Sequence, residues 1–136
     1  MTISNATIAR YDRLVARAIK AGRKAAAKAA REAARGQKSI VVDHWTKRKY
    51  VVCGYPYGMA SIRLDSGRTG FAQYLKTKKA LGYQNSVTYY VLDFECETFN
   101  PPSLTQSLAV NEARAQAWVD VLNKAGIKSY VWTWID

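Results

Sequence analysis

A single histidine, two cysteines and three prolines are all that the 136 residues hold of those types, and each scarcity excludes a class of protein. A lone His44 rules out a His-rich metal site and leaves almost no room for a Ser–His–Asp triad, since without a partner it reads as a hairpin-loop surface residue rather than a base. Cys53 and Cys96 stand 43 positions apart with no Cys-x-x-Cys pair, which excludes a zinc ribbon and a disulfide scaffold. No run approaches about 18 uncharged apolar residues, so no transmembrane helix is expected. The stretch before Arg10 has no apolar segment of the kind a secretory signal needs, and a cytoplasmic setting is the expectation. Acidic residues are scarce too, 10 against 21 basic ones, for a net charge of +11. A chain of this length is expected to form one domain whose core needs neither disulfides nor metals. Its excess of positive charge points to an anionic partner.

That excess is concentrated. Residues 1–38 carry ten basic groups and two acids, whereas the rest of the chain holds eleven basic and eight acidic groups. The division suggests a basic element at 1–37 and a nearly balanced body at 38–136 within one overall domain. From Ser4 to Arg35 the sequence has no proline, one glycine and an alanine-rich tract, which predicts a helix capped by Ser4 or Asn5 and stopped by Gly36. At about 100° per residue, Ile8, Tyr11, Val15, Ala18, Gly22, Ala25 and Ala29 share one side. Arg10, Arg13, Arg17, Lys20, Lys24, Lys28, Arg31 and Arg35 form a stripe on the other, and only Arg23 strays from it. The small-residue side repeats every seven positions at Ile8, Val15, Gly22 and Ala29, as a coiled-coil seam does, so a homo-oligomer through this helix is expected.

The pattern then turns to β-structure. Ser39–Asp43 and Lys49–Cys53 read as a hairpin, and Met59–Asp65 as a third strand. A helix is predicted over Phe71–Leu81 with Gly82 as its stop, then a long strand over Ser86–Thr98. Asn100 and two prolines break the chain ahead of a helix from Leu108 or Val110 to Ala125, closed by Gly126. A last strand covers Lys128–Ile135. The order α-β-β-β-α-β-α-β, with strands that alternate polar and apolar residues, predicts an α+β fold. Its five-stranded sheet is largely antiparallel and carries two helices behind the long N-terminal one.

Several groups are candidates for chemistry. Asp93, Glu95 and Glu97 alternate, so a strand would place three carboxylates on one face, suited to Mg²⁺ and phosphodiester cleavage; alternating acids at a strand end more often form a solvated face. The loop Asp65–Gly70 precedes a helix and is placed to cradle a phosphate on backbone N–H groups, although it matches no known glycine-rich signature. Cys53 and Cys96 read as strand thiols. Trp45, Tyr55, Tyr57, Tyr83, Trp132 and Trp134 are interleaved with Arg48, Arg63, Arg68 and Lys79, the combination in which rings stack on bases and cations hold phosphates. Tyr83 with Asn85 pairs a ring with an amide able to read a base edge. Trp132 and Trp134 also suit a half-buried terminal strand.

A long basic N-terminal helix followed by a compact antiparallel sheet with late helices resembles the first type of phage anti-Thoeris proteins, which capture cyclic ADP-ribose-like immune signals. The resemblance implies oligomers built through the N-terminal helices and nucleotide pockets between protomers. It also implies capture of cyclic oligonucleotides by basic residues on those helices in some members. The positions that would fill these roles are Lys24, Lys28 and Arg31 on the helix, and Tyr83, Asn85 and Arg114 in the body. The expectation is therefore a non-enzymatic, cofactor-free protein that sequesters an anionic nucleotide signal, with Tyr55, Tyr57, Arg63 and Arg68 as further ligand contacts. A small nucleic-acid-binding protein or inhibitor of a host nucleoprotein complex is the alternative. A metal-dependent nuclease using Asp93, Glu95 and Glu97 is the third.

Overall fold

The computed structural model describes residues 3–34, 38–42, 45–47, 49–53, 58–84, 88–92 and 108–135. The N-terminal helix is present as α1, Asn5–Ala34. Of the two candidate caps, Ser4 acts: its Oγ accepts from the Thr7 N–H at 3.2 Å, and its carbonyl accepts from the Ile8 N–H. The strands and helices that follow are β1 (Lys38–Val42), β2 (Lys49–Cys53), β3 (Gly58–Leu64), α2 (Gly70–Thr77), β4 (Leu81–Gln84), β5 (Thr88–Val91), α3 (Leu108–Lys124) and β6 (Ser129–Ile135). All described strand pairs are antiparallel, so the α+β class stands. The strands form a β1–β2 hairpin and a four-stranded sheet in the order β4-β5-β3-β6.

The expectation of a single five-stranded sheet needs correction at two places: among the described residues β1 and β2 pair only with each other, apart from the four-stranded sheet, and a further strand, β4, follows α2. The helix expected to run to Leu81 stops at Thr77, and Leu81–Gln84, expected as the helix end, its glycine stop and a connection, is a strand. Lys79, not a glycine, takes the left-handed backbone at φ 57°. The Lys79 N–H then bonds the Lys76 carbonyl and the Ala80 N–H the Leu75 carbonyl, which is the Schellman closure of a helix end. Gly82 serves the sheet instead: a Cβ there would lie 2.3 Å from the Tyr90 ring, so only glycine lets that ring lie across β4. Within the long strand expected over Ser86–Thr98, the described strand is Thr88–Val91; Asp93–Thr98 lie outside the described residues. Gly126 behaves as expected, closing α3 at φ 84° with the Ile127 N–H on the Leu122 carbonyl.

One core joins the basic helix to the body. Ala60, Ile62 and Leu64, alternate residues of β3, meet Ala115, Trp118, Val119 and Leu122 of α3, together with Phe71, Tyr74 and Leu75 of α2. Leu14, Val15 and Ala18 of α1 belong to the same cluster. Gly22 of α1 lies against Trp118 and Arg114 of α3, while Leu14 and Arg17 share a cleft with Ala125–Lys128 just past the end of α3. The two helices therefore run antiparallel. The close approach that the small-residue side permits is made with α3 of the same chain: Ala18, Gly22 and Ala26 are buried. Assembly through α1 is a proposal that has to draw on other residues of that helix. On α3, Ala113, Ala117 and Val121 are half-buried, although they share a helical face with Trp118 and Leu122, while Val110, Ala115 and Val119 are buried beside those two. A helix between a sheet and a second helix buries two faces, so a single-face periodicity misplaces its core.

The N-terminal turns of α1 are tied to α2. Tyr11 sits 5.4 Å from Phe71 and 5.3 Å from Tyr74, ring centre to ring centre. The buried Tyr74 hydroxyl donates to Asp12 Oδ1 at 2.6 Å, and Lys78 Nζ approaches the same oxygen at 3.4 Å. The Tyr74 hydrogen bond holds the Asp12 carboxyl below the usual carboxylate range; burial opposes it, and the hydrogen bond and charge of Lys78 each add a smaller lowering effect. A carboxyl whose pKa is depressed by folding stabilises the native state above its unfolded pKa, near 4, and that contribution disappears as pH falls through the folded value. Asp12 is half exposed, so the contribution stays below about 1 kcal/mol. Urea denaturation of wild type and Asp12→Asn is expected to show a gap between them that is constant above about pH 5 and closes below about pH 4. A gap unchanged at acid pH counts against the carboxylate.

Candidate functional site

A cleft of about 750 Å³ opens where α1, the β3–α2 loop and the α3–β6 turn meet. Arg10, Leu14 and Arg17 face it because positions i, i+4 and i+7 share one side of a helix. Leu64 and Ile127 add apolar surface to Leu14. Across from α1 lie Asp65, Ser66, Thr69 and Gly70, and Lys128 comes from the turn that positive-φ Gly126 creates. Three cations from two parts of the chain thus meet one carboxylate around an apolar floor.

The loop is held by its own short-range bonds. Thr69 Oγ1 caps α2 by accepting from the Ala72 N–H at 3.2 Å, and Ser66 Oγ accepts from the Arg68 N–H at 3.1 Å. The Gln73 side-chain amide donates to the Gly67 carbonyl at 3.5 Å. Gly67 lies beneath the Tyr89 ring, where a Cβ would come within 2.3 Å of it. At Gly70 a Cβ would stand 2.8 Å from the Tyr11 hydroxyl oxygen, so glycine lets the first turn of α2 press against α1. The amides of Gly70 and Phe71 precede any intrahelical acceptor and add positive potential at that end of the cleft. The volume lies within the range of small-molecule sites, and forked guanidinium groups at a rim suit phosphate oxygens.

The residues expected from sequence are distributed over several places. The Asp65–Gly70 loop does precede a helix and does line this cleft. Arg68 is exposed on that loop. Lys24, Lys28 and Arg31 are exposed on α1, farther along the helix that supplies Arg10 and Arg17. Arg63 is almost buried on the sheet face opposite the helices; its Nε donates to Ser61 Oγ at 2.9 Å, and its guanidinium lies 5.1 Å from the Tyr90 ring and 5.7 Å from Trp132. It braces that sheet face. Tyr83 is 59% exposed on β4, with its ring 5.8 Å from Tyr89. Arg114 is half-buried under Gly22. Neither Tyr83 nor Arg114 lines the cleft. Tyr55, Tyr57, Asn85, Asp93, Glu95 and Glu97 lie outside the described residues, as do His44, Arg48 and Cys96. Among the described residues no three of His, Cys, Asp or Glu come together, and no helix is long and apolar enough to cross a membrane.

Arg10 and Arg17 were visible in the sequence as two members of the basic stripe, with nothing to set them apart from the other six. Lys128 carried no signal, because its position depends on where the α3–β6 turn lands. Comparison with protein-family models, curated proteins and solved structures finds no match in any of the three.

Proposed function

We propose that the protein is a non-enzymatic binder of a phosphorylated nucleotide, held in the cleft between α1, the β3–α2 loop and the α3–β6 turn. The observation that carries this reading is the meeting of Arg10, Arg17 and Lys128 around an apolar floor of nucleotide size. In this reading the two guanidinium groups and the Lys128 ammonium hold phosphate oxygens, with the first amides of α2 beside them. Ser66 and Thr69 face the sugar, and Leu14, Leu64 and Ile127 cover the base. Sequestration of a nucleotide signal, the role suggested by the layout of the sequence, needs affinity and slow release rather than turnover.

Titration calorimetry with ADP, AMP, inorganic phosphate and adenosine tests the reading. ADP is expected to bind best and adenosine at least about tenfold more weakly, since each charge-assisted phosphate contact contributes about 1.5–3 kcal/mol before solvent screening. Nucleotide recovered after long incubation is expected intact on chromatography. Equal affinity for ADP and adenosine refutes phosphate recognition, and progressive hydrolysis refutes the non-enzymatic role.

A further inference from the structure

We infer that the full ligand of the cleft is the phosphorylated end of a single-stranded oligonucleotide. Its terminal phosphate enters the cleft and its backbone follows the cations of α1. The inference rests on the cleft reading and adds the length and polymer nature of the ligand.

Four features carry it. Arg10 and Arg17 line the cleft, and the same helix continues with Arg13, Lys20, Lys24, Lys28 and Arg31, all exposed. At about 100° per residue these seven side chains occupy a strip only about 80° wide. From Arg10 to Arg31 the strip extends about 31 Å at 1.5 Å per residue. The cleft is therefore one end of a continuous cationic track.

The track also has a fixed direction of exposure. Leu14, Val15, Ala18, Gly22 and Ala26 turn the opposite side of α1 into the core, which leaves the strip facing outward. Within α1, acids do little to offset it. Asp12 lies off the strip, engaged with Tyr74 and Lys78, and Glu32 stands near its far end, four residues from Lys28. Asp65 is the carboxylate at the cleft end.

A mononucleotide meets only the cleft end and leaves five exposed cations unneutralised. A strand with one phosphate per nucleotide meets both ends: 31 Å accommodates about nine phosphates at the 3.4 Å stacked spacing, and fewer in an extended strand. A cleft of about 750 Å³ with an apolar floor is of a size to take one unpaired nucleotide. A single strand with a phosphate at its terminus satisfies all four features.

Fluorescence anisotropy with oligothymidylates of about two, four and eight nucleotides tests this. Each length carries a 5′-phosphate, a 3′-phosphate or neither, with the label at the opposite end, and a duplex of the longest serves for comparison. Affinity is expected to rise at least tenfold from the shortest to the longest strand. Removing the terminal phosphate is expected to cost wild type about tenfold and to cost the Arg10→Ala/Arg17→Ala variant nothing. The Lys20→Ala/Lys24→Ala/Lys28→Ala variant is expected to bind ADP like wild type and to lose the gain with length. Its log–log salt slope is expected to flatten by about 2, since each single-strand phosphate contact contributes about 0.7.

Affinity independent of length, with ADP binding intact, overturns the inference and leaves the cleft reading standing. Affinity that grows with length but ignores the terminal phosphate, or a duplex that binds as well as the strand, also overturns it in favour of a plain polyanion surface. Failure of both ADP and strands to respond to Arg10→Ala/Arg17→Ala removes the cleft reading as well.

Discussion

Gly22→Leu is expected to destabilise the protein by about 3 kcal/mol or more and to lower its melting temperature by roughly 10 °C. A Cβ at Gly22 already falls 2.9 Å from Trp118 Cδ1 and 3.1 Å from Arg114 Cγ. Trp118 is fully buried and packed among Leu122, Val119 and the strand residues of the core, so the indole has nowhere to retreat. Leucine's better helix propensity, worth about 1 kcal/mol over glycine, is too small to compensate. Ala27→Leu, at an exposed position of the same helix, serves as control and is expected to shift stability by less than about 0.5 kcal/mol. Equal stability of the Gly22 and Ala27 variants in urea denaturation refutes the packing of α1 on α3. The same contact bears on assembly: a charge placed at Gly22 disrupts the fold of one chain before it reports on an oligomer. Light scattering on variants at exposed α1 positions is the cleaner test of self-association.

The Arg10→Ala/Arg17→Ala variant is expected to bind ADP about 100-fold more weakly than wild type while folding normally. Each guanidinium contact to phosphate is worth up to about 3 kcal/mol when dry. Both arginines are exposed on α1, so screening reduces each to about 1.4 kcal/mol, or tenfold, and the two add. Stability is expected to change little, because neither side chain is buried and the helix carries an excess of like charge. Lys76→Ala/Lys124→Ala removes the same number of charges from exposed positions outside the cleft. Comparable loss in that control reassigns the effect to net charge, and undiminished ADP affinity in the arginine variant removes the cleft as the site. Both comparisons need only calorimetry and a melting curve.

How much of this was legible in the sequence depends on the range of the interaction behind each feature. Helix α1 follows from its composition and its Ser4 cap, α3 ends at Gly126 because that glycine takes the left-handed turn, and the hairpin strands follow from short β-branched runs. These are decided within a few residues. The end of α2 was misplaced because Lys79 adopts a conformation in which glycine is the usual choice, at an ordinary-looking position. Gly82 read as a helix stop because nothing local reveals that the Tyr90 ring of the next strand lies across it.

The candidate site divides along the same line. The Asp65–Gly70 loop was legible as a phosphate-binding candidate, because a glycine-bearing loop ahead of a helix is a local pattern. The choice of Arg10 and Arg17 out of eight stripe cations was not, since it depends on which part of α1 lies beside the end of α3. By itself the sequence determined a basic helix, an antiparallel α+β body and a concentration of positive charge on that helix, all consequences of composition and short-range periodicity. Only the tertiary structure decided that the small-residue side of α1 is used against α3 and that the cleft sits at one end of the cationic strip. Both arise from side-chain volumes meeting across more than ninety residues of chain, as Gly22 meets Trp118, a distance at which local pattern carries no information.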